Sequence, residues 1–145
     1  MTEMAPLEAA KWLAVSGGLA ILWSTMLGFV MLIPQQGRKA DGAPTTINWR
    51  QIGAAHLDWI MLGLMSMAAA LLLTLFGHAV PSLLVAIFIF GAWINPTAYV
   101  FRAFGINAFR FSGSGVQKGA SLLSGVSSLA ILISWLWIFA IVLLA

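Results

Sequence analysis

Four polar side chains fall where the chain is otherwise apolar: His56 and Asp58 in AAHLDWIMLG, and Asn95 and Tyr99 in INPTAY. A neutral imidazole inside an apolar run is either a metal or haem ligand or a buried ring bonded to a backbone carbonyl, and the second is the commoner role. Asp58 stands about 200° round a helix from His56 and cannot hold that ring. Its expected role is an ion pair with Arg50 or Arg102, ahead of a pocket or proton function. Asn95 and Tyr99, the chain's single tyrosine, are four residues apart and share one helix face. His78, the second histidine, lies about 33 Å further along the same span. The two histidines therefore cannot ligate one haem from within one protomer. A haem here would have one axial histidine and an open sixth position, which suits binding or chemistry more than electron transfer.

The elements that carry these residues follow from composition. Hydrophobic residues make up 61% of the 145 and charged residues 8%, where a soluble domain carries about 25% charged. The chain reads as an integral membrane protein. Without cysteine it has no disulfide, no thiolate zinc site and no C-x-x-C-H haem attachment. A net charge of +3 is too diffuse for a nucleic-acid footprint, so no nucleic-acid partner is expected. Four windows reach the roughly 20 apolar residues needed to cross a bilayer: 12–33, stopped by Pro34; 52–76; 82–101; and 120–144. The first follows Glu3, Glu8 and Lys11 and is long enough to span rather than serve as a cleaved signal. The expected fold is all-α, one four-helix transmembrane bundle over residues 1–145, with span 3 bent at Pro96.

Arg38, Lys39 and Arg50 in the first loop and Arg102, Arg110 and Lys118 in the third face a single Lys11 on the other side. That asymmetry predicts cytoplasmic first and third loops and both termini outside. His56 then lies roughly 6 Å into the bilayer, Tyr99 about 5 Å and Asn95 about 10 Å, one shallow layer. Trp12 and Trp49 fit interfacial belts, while Trp59, Trp93, Trp135 and Trp137 read first as packing. Small residues recur at four-residue spacing: Ala20, Ser24 and Gly28 on span 1, Ser121 with Gly125 and Ser124 with Ser128 on span 4. Such stripes admit close helix packing in lipid, within one bundle or between copies, and a unit of this size favours an oligomer.

AAHLDWIMLGLMSMAAALLL followed by GAWINPTAYVFRAFGINAFRFSG resembles styrene oxide isomerase, a family of small four-helix membrane enzymes. The likeness covers residues 50–115 and rests on a histidine early in span 2 and a W-x-N-x-x-x-Y pattern on span 3, here His56, Trp93, Asn95 and Tyr99. It implies a homotrimer with haem b between protomers and His56 as the axial ligand. It also implies ferric iron acting as a Lewis acid on a lipophilic epoxide, which rearranges to an aldehyde without net redox. Tyr99 and Asn95 would be the catalytic groups, with Leu62, Gly91 and Trp93 in the pocket. Two positions depart from the pattern: Leu62 stands where the family has an asparagine, and Gly91 where it has an acidic residue. The expectation is thus a haem b epoxide isomerase of a bacterial inner membrane. The alternatives are a haem protein that senses or transfers electrons, a small four-helix exporter without haem, and a structural subunit.

Overall fold

The computed structural model describes residues 2–36 and 47–144. Its elements are β1 (Glu3–Met4), α1 (Pro6–Gln36), α2 (Trp49–Phe76), β2 (Val80–Pro81), α3 (Ser82–Ile94), α4 (Thr97–Ala103) and α5 (Gly115–Leu144). Among the described residues four helical stretches are long and apolar enough to cross a membrane: Pro6–Leu32, Trp49–Phe76, Ser82–Ala103 and Gly115–Leu144. The all-α four-span reading therefore holds. Arg38 and Lys39 of the charge argument lie outside the described residues.

Helix α1 begins six residues before the expected span, at Pro6, a residue suited to a first turn because its missing N–H would be unpaired there anyway. It does not stop at Pro34 but runs on to Gln36. Helix α2 ends at Gly77, whose φ of 69° lets its N–H bond Leu73 O at 3.1 Å. Span 3 is broken as Pro96 predicts, into α3 and α4. The broken end is repaired by side chains: Thr97 Oγ1 donates to Ile94 O at 2.6 Å and Trp59 Nε1 donates to Trp93 O at 3.2 Å. These replace backbone donors that a continuous helix would supply.

α1 packs chiefly on α2, α3 on α5, and α4 on α2. The tightest approach is at Gly17 and Gly63, where a Cβ on either would come within 2.5 or 2.7 Å of the other's carbonyl oxygen. At one end of the bundle β1 pairs antiparallel with β2, and Ser82 N–H donates to Thr2 O at 3.0 Å. The larger core lies toward that end, around Leu13, Leu73, Leu84, Phe88 and Ile138. Toward the other end the buried residues are smaller, Ala20 and Ala55 beside Trp59. There Asn48 N–H donates to Ala103 O at 3.0 Å, so α2 begins where α4 ends. His56 and Tyr99 consequently sit at similar depth. Many large apolar side chains face outward, among them Leu22, Phe29, Leu57, Leu71 and Leu132, as lipid contact requires.

Candidate functional site

His56 projects from α2 against α1. Its Nδ1 lies 2.7 Å from Ser24 O and 2.7 Å from Ser24 Oγ, while Ser24 Oγ–H donates to His56 O at 2.6 Å. A carbonyl only accepts, and the serine proton is already engaged. Nδ1 must therefore carry the ring's proton, a tautomer assigned from the bonding network. Nε2 has no hydrogen-bond partner among the described residues, and in the neutral ring it carries the lone pair. The two sequence readings of His56 thus coexist in one ring: a neutral imidazole bonded to a carbonyl through Nδ1, and a free donor atom at Nε2. This is the arrangement in which metal-bound histidines are commonly held. Gly28 leaves the ring its space, since a Cβ there would stand 3.2 Å from Cε1.

Asn95 and Tyr99 take different partners. Asn95 turns to α5, where Nδ2 donates to Ser128 Oγ at 2.8 Å. The Tyr99 ring packs by Phe109, 5.2 Å between centroids, and against the Ala20, Ala55 and Trp59 cluster. Asn95 and Pro96 both keep right-handed helical backbone, with φ, ψ of −53°, −48° and −66°, −17°, so the two side chains differ in their partners and not through a lost helical register. No hydrogen bond engages the Tyr99 hydroxyl among the described residues.

Trp93 lines an apolar groove of about 610 Å³ with Trp23, Leu27, Ile52, Trp59 and Val100, from α1, α2, α3 and α4. Two of its indoles have their polar edges engaged, Trp59 at Trp93 O and Trp93 at Ser16 Oγ, 2.9 Å away. The groove therefore presents ring faces and methyl groups. Leu62 and Gly91, expected beside Trp93, do not line it. Leu62 is buried in the larger core. Gly91 is pressed on α5, where a Cβ would meet Ile131 Cγ1 at 2.7 Å and Ser127 O at 3.0 Å.

Asp58 makes no ion pair with Arg50 or Arg102 among the described residues. Arg102 instead places its guanidinium 5.6 Å from the centre of the Phe109 ring. His78 sits at the far end of the molecule beside Trp137 and Ile141. No cluster of three His, Cys, Asp or Glu side chains that could hold a bare metal ion occurs among the described residues. A metal here would need to bring most of its ligands with it, as a porphyrin does.

The sequence reading missed Ser24 as a partner of His56, and Trp23 and Trp59 as groove walls. Ser24 carried a signal, since it stands in the Ala20–Ser24–Gly28 stripe, but that stripe spoke only of packing. Compared with protein-family models, curated proteins and solved structures, the chain matches none.

Proposed function

We propose that the chain is a membrane haem b protein in which His56 is the axial ligand, and that it rearranges a lipophilic epoxide to an aldehyde as the styrene oxide isomerase resemblance implies. The observation that carries this reading is the seat of His56: Nδ1 lies 2.7 Å from Ser24 O, which assigns the ring proton to Nδ1, and Nε2 has no hydrogen-bond partner among the described residues. When bound, haem would supply a Lewis-acidic iron for an epoxide oxygen. The protein's own groups have separate tasks. The apolar groove of Trp23, Trp59 and Trp93 takes a lipophilic molecule and keeps water from it. Tyr99 and His56 do not line that groove but stand beside it, and Tyr99 has a hydroxyl unengaged among the described residues that would orient an oxygen reaching past the groove wall. Asn95 commits one Nδ2–H to Ser128 and keeps its Oδ1 and second N–H.

The same reading includes a homotrimer, residence in a bacterial inner membrane, termini outside and first and third loops in the cytoplasm. Gly125 on α5 has open space about it, which suits contact with a second copy or lipid.

A second reading is favoured by Leu62 and Gly91, which are spent on packing where the family carries polar groups. Under it the protein binds haem without isomerising. The test is a visible absorption spectrum of the detergent-purified protein beside His56→Ala, followed by aldehyde production from an aryl epoxide without reductant. A haem band lost in the variant, with aldehyde formed, supports the first reading. A band without turnover selects the second. A colourless protein that refuses haemin sinks both.

A further inference from the structure

We propose that Ser24 is the positioning residue for His56: a reciprocal pair of hydrogen bonds between α1 and α2 locks the imidazole as its Nδ1–H tautomer, with Gly28 providing the seat. The consequence for ligation through Nε2 rests on the haem reading; the locked tautomer does not.

Each residue gives one donor and one acceptor. Ser24 Oγ–H reaches His56 O at 2.6 Å, and His56 Nδ1–H reaches Ser24 O at 2.7 Å. Both carbonyls lie inside helices and serve an i+4 backbone N–H as well, so each uses its second lone pair here. The carbonyl of Ser24 points along α1 toward residue 28. The ring reaches it by lying over Gly28, where a Cβ would stand 3.2 Å from Cε1 and 3.7 Å from Nδ1. Ser24 is fully buried, so water does not compete for these bonds. A free imidazole prefers its proton on Nε2, and this seat reverses the preference. With Nδ1–H donated to a carbonyl, Nε2 is left as the ring's unprotonated atom and made a stronger donor. The Ser24 hydroxyl holds the α2 backbone in the register that keeps Ser24 O within reach of the ring.

The test uses the full chain in detergent with nitrogen-15 histidine and His78→Gln, so that one imidazole is observed by NMR, haem-free and then haem-loaded. The unaltered seat should show a protonated Nδ1 and a bare Nε2 before any haem is added. Ser24→Ala should give mixed tautomers and about tenfold faster haem loss. Gly28→Ala should do the same by displacing the ring, and carries the test if Ser24→Ala does not assemble. Ser66→Ala removes a comparably buried hydroxyl whose one partner among the described residues is Leu62 O, and should leave both readouts unchanged. A proton on Nε2 in the unaltered seat overturns the proposal, as does a Ser24→Ala protein with the parent's tautomer and haem loss rate. A locked tautomer in a protein that takes up no haemin would uphold the seat and remove the functional reading.

Discussion

Ser24 and Ser134 are both fully buried, yet they stand in opposite positions energetically. The first has its hydroxyl engaged across two helices. The second has no partner for Oγ among the described residues. A buried hydroxyl left unpaired costs about 1–3 kcal/mol. Ser134→Ala should therefore raise stability by about 1 kcal/mol, read as a higher midpoint in denaturing detergent. Trp59→Phe keeps a ring in the groove but removes the donor to Trp93 O, and should lower that midpoint by an amount worth about 1 kcal/mol. His56 was legible in the sequence because an imidazole is rare in an apolar run. Its partner was not, because a serine at four-residue spacing is the ordinary currency of helix packing. Asn95 and Tyr99 were legible as polar residues, but their partners were not, since Ser128 and Phe109 lie on other parts of the chain.

Helix breaks and close contacts set the second scale. The interruption of span 3 was readable from Pro96, but its repair was not, since the donors come from Thr97 beside it and Trp59 on another helix. Thr97→Val should cost about 1 kcal/mol with the apolar groove little changed, measurable as a lower unfolding midpoint. Between α3 and α5 the contact at Gly91 leaves no space for a side chain. Gly91→Ala should be destabilising by about 1–3 kcal/mol, and Gly91→Asp by more, because the carboxylate would also be buried. Installing here the acidic residue of the styrene oxide isomerase pattern that the chain resembles should therefore lower the yield of folded protein without raising epoxide turnover. A Gly91→Asp protein as stable as the parent would show that the α3–α5 contact gives way. The span limits were visible in the hydropathy, whereas the early start of α1 and its passage through Pro34 depend on local backbone tolerance that apolar runs do not report.

At the scale of the whole molecule the membrane class was legible from composition alone, and the arrangement of the four spans was not, since apolar helices in lipid choose neighbours by fit. The absence of cysteine makes orientation directly measurable. A cysteine replacing Ser112 in the third loop should react with a membrane-impermeant maleimide only in opened membranes. One replacing Thr2 should react in intact cells. The reverse pattern would invert the proposed topology. The clasp of β1 on β2 pairs Glu3 with Pro81 and Met4 with Val80, and beside it the Thr2 and Ser82 hydroxyls meet at 3.1 Å. This has a consequence in time. A ribosome must pass Ser82 before the clasp has both its halves, and by then α1 and α2 have already been made. The pairing of α1 with α2 that seats His56 thus has a head start over the latch, and a chain released between Phe76 and Ser82 would carry both helices of that pairing and lack the latch's second half.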